Sequence, residues 1–253
     1  MRRLMILPVA VCLLVGAVVP ALAQDVPWNG QTVLVTGANR GIGLEVARQL
    51  HTAGAEVIAT ARKPAAAEDL KALGVRIEQL DVTDPASVAA LAAKLEGTPI
   101  DAVLNNAGIF LNRGTSLDED PEEALRVLDV NTVGPLRVTL ALLPNLRQSD
   151  RKLVMNMSSG LGSIANNERG TYAAYRASKA ALNMLTRTMA ADLRPEEFIF
   201  VAMSPGWVQT DMGGENANLT PAESVSGMLK VMAGLKPADS GKYVGYDGNE
   251  LAW

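Results

Sequence analysis

The sequence predicts an α/β fold, a doubly wound parallel sheet of about seven strands with helices on both faces. Short runs of β-branched and aliphatic residues alternate with helical segments along the chain. The strand-like runs are apolar at successive positions, which is typical of parallel strands covered by helices on each side. No repeat, low-complexity tract or long linker divides the chain after its first two dozen residues. We therefore expect a single domain over residues 24–253.

The predicted strands are short and apolar, and polar, glycine or proline residues bound them. The first is a β-branched run that stops at Gly37, as expected for a strand that enters a turn. The predicted strands cover residues 32–36, 56–61, 76–80, 100–104, 153–157, 198–203 and a short stretch near 243–244.

The predicted helices repeat apolar residues every three or four positions. In the first, Ile42, Val46 and Leu50 fall on one face and Gly54 ends the helix. The third begins with Asp84 as N-cap and Pro85 in its first turn. The predicted helices cover residues 42–53, 65–73, 84–95, 121–146 with an interruption near Gly134-Pro135, 172–193 and 221–233.

Composition and charge exclude several classes of function. The chain has 23 Lys and Arg against 27 Asp and Glu, a net charge of −4, so it lacks the basic surface of a nucleic-acid-binding protein. His51 and Cys12 are its only imidazole and thiol, and we therefore predict no metal site. His51 ends the first predicted helix, where the helix dipole favours a cation. Chemistry must come from hydroxyl, carboxylate, amide and lysine groups, or from a cofactor.

The first residues have the three parts of a secretory signal peptide. Arg2 and Arg3 precede an apolar stretch over residues 4–19, and Ala21-Leu22-Ala23 follows, with small residues where a signal peptidase needs them. We expect cleavage after Ala23 and a periplasmic or secreted protein. A retained membrane anchor is one alternative, because the apolar run approaches bilayer length. A mis-assigned start, with a cytoplasmic protein, is another. No membrane contact is expected beyond this segment.

A glycine-rich turn, Thr36-Gly37-Ala38-Asn39-Arg40-Gly41-Ile42-Gly43, follows the first predicted strand. Glycines here let the backbone turn sharply and approach a pyrophosphate, while the following helix supplies free N–H groups. The spacing differs from the common dinucleotide pattern, and a plain glycine-rich turn is the alternative. Because the turn joins a clear strand to a clear helix, we predict a nucleotide site.

The end of the second predicted strand indicates which nucleotide binds. Folds that prefer NAD place an acid there to bind the ribose 2′-hydroxyl. Here the position holds Ala61, followed by Arg62 and Lys63. Arg62 and Arg40 are suited to a 2′-phosphate, although solvated surface arginines are the ordinary alternative. We predict NADP as cofactor, with NADPH preferred over NADH.

Catalytic groups are predicted in the second half of the chain. Tyr175 and Lys179 are four residues apart, hence on one helix face, and an ammonium there lowers the pKa of a phenol. Ser158-Ser159 ends the fifth predicted strand, and Asn105-Asn106-Ala107-Gly108 ends the fourth. Both ends lie at the carboxyl edge of the sheet, where α/β proteins bind ligands. Asn131 falls in the broken helix that follows.

In this order, the segments 36–43, 105–108, Ser159, 175–179 and 204–206 resemble the short-chain dehydrogenases/reductases over about residues 30–253. The resemblance implies a Rossmann fold and hydride transfer at the nicotinamide. It implies that Tyr175 is the acid/base, that Lys179 binds the ribose and lowers the tyrosine pKa, that Ser159 positions the carbonyl, and that Asn131 holds a proton-relay water. The residues it assigns to the cofactor are Gly37, Asn39, Arg40, Gly41, Ile42, Gly43, Arg62, Asp81, Val82, Asn105, Ala107, Gly108, Tyr175, Lys179, Pro205, Gly206, Val208 and Thr210.

A closer similarity is to the Sniffer-like carbonyl reductases, a branch that generally uses NADPH. It rests on Gly162-Ser163-Ile164, the segment 175–183 and the ending Tyr246-Asp247-Gly248 with Trp253. It implies an oxidoreductase for a small carbonyl or alcohol substrate, and a homodimer or homotetramer formed through segments 121–146 and 172–193. The alternatives are a cofactor-binding sensor or interaction module without turnover and, third, an epimerase or dehydratase.

The predicted pocket walls do not identify one substrate. They come from residues 110–118, 161–171 and 207–219. The segment 212–219, rich in Gly and Asn, is expected to act as a lid over the site. The direction of the reaction depends on the cofactor ratio, which no residue encodes.

Overall fold

The computed structural model describes residues 27–111 and 114–253. The predicted signal peptide lies outside the described residues, as do two positions of the predicted pocket wall. Among the described helices, none combines the length and apolar character needed to span a bilayer.

Seven parallel strands form one sheet in the order β3-β2-β1-β4-β5-β6-β7. This arrangement confirms the predicted doubly wound α/β fold. The strands are β1 (Thr32–Val35), β2 (Glu56–Ala61), β3 (Arg76–Gln79), β4 (Ala102–Asn105), β5 (Leu153–Met157), β6 (Ile199–Ser204) and β7 (Lys242–Gly245).

Helices cover both faces of the sheet, and each face has its own apolar core. Helices α1, α2 and α7 pack on one face with Val33 and Val35, whereas α3, α5 and α6 pack on the other with Leu34. This alternation follows the two-residue period of a strand. The helices are α1 (Gly41–Thr52), α2 (Glu68–Leu73), α3 (Pro85–Lys94), α4 (Pro121–Leu128), α5 (Gly134–Leu146), α6 (Ala173–Asp192) and α7 (Pro221–Gly234).

The reversal of strand order places a crevice between the carboxyl ends of β1 and β4. The chain builds outward from β1 to β3, then returns to the other side of β1 with β4, where Val35 pairs with Leu104. In sheets of this kind the crevice at the reversal is where ligands bind. The glycine turn after β1 and the segment 105–108 after β4 therefore meet there.

Two predicted helices differ in the structure. The predicted helix 65–73 is split into a 3-10 turn at Pro64–Ala66 and the shorter α2, whose N-cap residue Ala67 makes no capping hydrogen bond through its side chain. The predicted break near Gly134-Pro135 is instead a π-helical turn at Asp129–Val133. Pro135 has no N–H to donate to the carbonyl of Asn131, four residues earlier.

Candidate active site

The glycine turn needs its glycines for conformation and for space. Gly37 and Gly41 have φ of +62° and +55°, the left-handed region that glycine tolerates. A Cβ on Gly43 would lie 2.5 Å from the carbonyl oxygen of Gly37 and 2.5 Å from Asn106 Nδ2. The first turn of α1 can therefore lie directly against the end of β4.

The N-terminus of α1 fits a phosphate group. Its N-cap residue, Arg40, makes no capping hydrogen bond through its side chain, and the first turn holds no acid. The free N–H groups and the helix dipole are thus available to an anion. Asn39 and Arg40 are exposed beside these N–H groups. Ile42 is half-buried against the apolar core on the sheet face that α1, α2 and α7 cover. These features fit the pyrophosphate of a dinucleotide.

The end of β4 is bonded to the glycine turn through Asn106, a residue that the sequence analysis did not assign to the site. Asn106 Nδ2 donates to the carbonyls of Thr36 (2.9 Å) and Gly37 (3.1 Å). Thr36 Oγ1 accepts from the backbone N–H groups of Asn106 and Ala107, both at 3.0 Å. Ala107 and Gly108 follow at the crevice, so this network fixes its width.

The side chain of Asn105, predicted to contact the cofactor, is directed elsewhere. It is buried and donates to Thr139 Oγ1 (3.0 Å) and to Asn156 Oδ1 (2.8 Å). Successive residues of a strand point to opposite faces, and Asn105 points between β5 and α5. Its amide group therefore joins β4 to β5 and to α5.

The outer end of the crevice carries positive charge. β2 ends at buried Ala61, and Arg62 and Lys63 are exposed directly after it. Hydrogen bonds from Thr83 lower the pKa of Asp81, and the charge of Arg62 lowers it further. Arg62 and Asp81 therefore lie near each other at this edge. Val82 is buried and closely approaches Gly134 of α5.

The segment after β6 packs against the glycine turn. A Cβ on Gly41 would lie 3.5 Å from Thr210 Cγ2, and Arg40 forms a 3.0 Å ion pair with Asp211 at the surface. Thr210 and Asp211, which directly precede the predicted lid, therefore lie against the glycine turn.

The segment after β6 is also held by residues further along the chain. The carbonyl of Pro205 accepts from Ser224 Oγ at 2.7 Å, and Val208 pairs with Leu219. Gly206 has φ of +79° and sits against Leu219 and Tyr246.

Tyr175 and Lys179 lie side by side on α6 and are both buried, with 8% and 3% of their surfaces exposed. Lys179 Nζ donates to the carbonyl of Met157 at 2.7 Å and lies 5.7 Å from the centre of the Tyr175 ring. Burial lowers the pKa of Lys179 to about 8. For Tyr175, whose charged form is the phenolate, burial instead raises the pKa to about 12, and a hydrogen bond with Ser159 opposes this rise. The phenol is therefore protonated at neutral pH.

The two adjacent serines have different surroundings. Ser158 is buried and its Oγ donates to Asn183 Oδ1 at 2.6 Å. Ser159 is half-buried, contacts the Tyr175 hydroxyl and accepts from the N–H of Leu161 at 3.2 Å. Of the two serines, Ser159 is thus the one that the structure places against Tyr175.

Asn131 lies fully buried in the π-helical turn, beside the other groups. Its Oδ1 accepts from the N–H of Ile109 at 2.8 Å, and its Nδ2 donates to the carbonyl of Ile109 at 2.9 Å. A Cβ on Gly108 would lie 3.3 Å from Asn131 Oδ1 and 3.7 Å from Lys179 Nζ. Gly108 therefore leaves the space in which the asparagine and the lysine approach each other.

Aromatic rings cover the phenol. Phe110 lies 4.5 Å from the Tyr175 ring and 5.2 Å from the Tyr172 ring, centre to centre. Thr171 and Tyr172 have φ of +58° and +57°, which is strained for residues with a Cβ and is found at functional sites more often than elsewhere. Trp207, at the start of the predicted pocket wall 207–219, is half-exposed and donates to the carbonyl of Gly213 in the predicted lid at 2.8 Å.

Other classes of site find little support. Within residues 27–111 and 114–253, no group of three or more His, Cys, Asp and Glu is placed to hold a metal ion. His51 is exposed in the last turn of α1, at the opposite end of that helix from the glycine turn.

Comparisons with known proteins show which sequences this chain resembles. The family model described as short chain dehydrogenase matches residues 31–219. A 1-hydroxy-2-glutathionyl-2-methyl-3-butene dehydrogenase from Rhodococcus sp. (strain AD45) is 38% identical over 88% of this chain and 99% of its own length. The protein named C-signal from Myxococcus xanthus is 48% identical over 61% of this chain and 93% of its own length.

Solved structures extend the similarity to three dimensions. The carbonyl reductase Sniffer of D. melanogaster has a TM-score of 0.86 and 33% identity, covering 89% of this chain and 100% of that chain. The NADPH-bound carbonyl reductase from chicken fatty liver has a TM-score of 0.83 and 38% identity, with the same coverage. A short-chain dehydrogenase/reductase from Burkholderia multivorans with bound NADP has a TM-score of 0.80 and 34% identity, covering 88% and 100%.

Proposed function

The chain belongs to the short-chain dehydrogenase family, and on that premise we propose that it is an NADPH-dependent carbonyl reductase with Tyr175 as its acid/base. The family and the Rossmann-type fold make it an oxidoreductase, and the predicted resemblance to Sniffer-like carbonyl reductases is confirmed by the matches. The observation that carries the finer proposal is the meeting of Tyr175, Ser159 and Lys179 in one group, with Lys179 close to Gly108 after β4.

Ser159, Tyr175 and Lys179 each have a different role in carbonyl reduction. When bound, NADPH supplies the hydride. The Ser159 hydroxyl donates a hydrogen bond to the substrate oxygen and holds it beside Tyr175, and the phenol gives its proton to that oxygen. The Lys179 ammonium stabilises the resulting phenolate by its charge. A pKa near 12 keeps Tyr175 protonated before the reaction, which suits a proton donor.

Asn131 has a supporting part in this proposal. Its side chain is held at both ends by Ile109, and its carbonyl receives no α-helical hydrogen bond from Pro135. A main-chain carbonyl oxygen has two lone pairs, and we propose that this one accepts a hydrogen bond from a water molecule. Such a water near Lys179 leads from the phenol towards solvent, and a proton can return to Tyr175 along this route.

Three observations support NADP over NAD. No carboxylate follows β2 to repel a 2′-phosphate, Arg62 and Arg40 are exposed at that edge, and two similar structures contain NADPH or NADP. Each arginine can form charge-assisted hydrogen bonds with phosphate oxygens.

Replacing Arg62 with alanine is expected to weaken NADPH binding about tenfold, from the loss of one charge-assisted contact, and NADH binding by less than about twofold, since NADH has no 2′-phosphate. Fluorescence titration of both cofactors measures the two affinities. Arg48→Ala is the matched control, because Arg48 is paired with Glu45 on α1. Equal losses for the two cofactors would show that Arg62 does not recognise the phosphate.

The test of the whole proposal is NADPH oxidation with a panel of aldehydes and ketones. A second candidate, favoured by the similarity to the protein named C-signal, is a cofactor-binding signalling or interaction protein without turnover, since a fold alone does not guarantee chemistry. NADPH binding without oxidation by any carbonyl compound would favour this second candidate. Turnover with any of them would favour the reductase.

We also propose a homodimer or homotetramer formed through α4, α5 and α6. Leu125, Leu140 and Met184, one on each helix, are more than half exposed, and a contact with a second copy of the chain would remove these apolar side chains from water. Leu140→Glu is expected to shift the protein to monomer, as measured by light scattering after gel filtration. Leu117→Glu, at an exposed 3-10 turn, is the control and should leave the mass unchanged. A monomeric wild-type protein contradicts the proposal.

For the N-terminal segment we propose cleavage after Ala23 and a periplasmic or secreted enzyme. The proposal rests on the signal-peptide pattern of residues 1–23. N-terminal sequencing of the native protein from each cell fraction tests it. A chain that starts at residue 24 outside the cytoplasm supports cleavage and export. A chain that starts at Met1 supports the anchor when it is found in the membrane, and a cytoplasmic enzyme when it is found in the cytosol.

A further inference from the structure

A second tyrosine lies directly behind Ser159. Tyr243 is in β7 and is fully buried. Its hydroxyl donates a hydrogen bond to the main-chain carbonyl of Ser159, 84 residues earlier in the chain. Because Ser159 follows β5 and β7 is two strands away in the sheet, this bond ties the sheet edge to the serine turn.

The surroundings of the Tyr243 hydroxyl keep it a hydrogen-bond donor. Burial raises the pKa of Tyr243, although hydrogen bonds with Asn183 and Ser158 oppose the rise. Ser158 in turn donates to Asn183 Oδ1, and Asn183 Nδ2 donates to the carbonyl of Gly162 at 3.4 Å. The polar side chains therefore lie beneath the whole turn from Ser158 to Gly162 and bind it at two carbonyls.

The ring of Tyr243 is itself fixed. The Trp253 ring packs on it with the ring centres 5.3 Å apart, and the Arg187 guanidinium lies over the Trp253 ring, 5.3 Å from its centre. The carbonyl of Trp253 accepts from the N–H of Ala165 at 2.9 Å, and the N–H of Leu251 donates to the carbonyl of Tyr243 at 2.8 Å. The segment after β7 thus holds both Tyr243 and the far end of the serine turn.

We propose that Tyr243 is a positioning residue for carbonyl reduction, which sets the place of the Ser159 hydroxyl relative to Tyr175 by holding the Ser159 carbonyl. The inference rests on the proposed function, because only a reaction at Tyr175 makes that distance matter. Tyr243 does not touch the substrate and acts through Ser159. A hydroxyl displaced by about 1 Å is enough to lower a rate substantially.

Tyr243→Phe tests the inference, since it keeps the ring and its contact with Trp253 and removes only the hydroxyl. We expect kcat for carbonyl reduction to fall about tenfold, with the dissociation constant of NADPH unchanged. Tyr246→Phe is the matched control, because the Tyr246 hydroxyl makes no hydrogen bond to the described residues, and its kcat should equal that of the wild type.

A double-mutant cycle with Ser159→Ala separates positioning from a general loss of stability. If Tyr243 acts through Ser159, the two losses do not add, and Tyr243→Phe changes kcat little in the Ser159→Ala background. Additive losses, or an unchanged kcat in Tyr243→Phe, overturn the inference and leave the proposed function standing. A wild-type protein inactive with every carbonyl compound overturns the proposed function, and the inference with it.

Discussion

Replacing Tyr175 with phenylalanine is expected to lower kcat for carbonyl reduction by about 10²–10⁴-fold, the usual contribution of a positioned general acid. The variant loses only the hydroxyl, and the ring keeps its packing against Phe110. NADPH affinity should therefore stay close to that of the wild type. Steady-state kinetics with the best carbonyl substrate, and fluorescence titration of NADPH, measure the two quantities.

The pH dependence of wild-type activity is a second test of Tyr175 as the proton donor. Burial raises the pKa of Tyr175 to about 12 in the structure, and the hydrogen bond with Ser159 opposes this rise. In the reduction direction the phenol must be protonated, so activity is expected to fall as the pH rises through the pKa of Tyr175 in the complex. If Tyr175→Phe reduces the substrate at the wild-type rate, Tyr175 is not the proton donor.

Local pattern was sufficient to predict most of this architecture. The apolar runs and glycine positions predicted each strand to within two residues at either end, because a buried parallel strand leaves a continuous apolar signature. The glycine turn was assigned from its position between strand and helix, and the structure adds the physical reason at Gly43, where any Cβ would meet the carbonyl of Gly37.

Residues whose surroundings come from distant segments were harder to assign. Adjacent Asn105 and Asn106 look equivalent in sequence, yet the strand alternation directs one into the sheet and the other to the glycine turn. The two-residue period of the strand is the signal in the sequence that distinguishes Asn105 from Asn106. No signal in the sequence predicts the hydrogen bond from Tyr243 to Ser159, because this bond depends on β7 lying two strands from β5 in the sheet. The strained backbone at Thr171 and Tyr172 is equally invisible in the sequence.

Replacing Lys179 with methionine, which has a similar unbranched shape, is expected to lower kcat by about 10²-fold or more, since the phenolate loses the charge that stabilises it. The same change should alter how stability depends on pH. Burial lowers the pKa of Lys179 from 10.5 to about 8, so between these values the unfolded chain binds more protons than the folded one. The free energy of unfolding of the wild type should therefore rise with pH in this window, by at most about 1.4 kcal/mol per pH unit.

Urea unfolding of wild type and Lys179→Met at pH 7, 8 and 9 measures this effect. Below pH 8 the lysine is charged in both states, and the cost of burying that charge is fully present. As the pH rises towards 10 the cost declines, so the wild type gains stability relative to the methionine variant. Lys230→Met, at an exposed position of α7, should follow the wild type at every pH. Parallel curves for wild type and Lys179→Met would mean that folding does not lower the pKa of Lys179, and would contradict the value of about 8 that burial gives it.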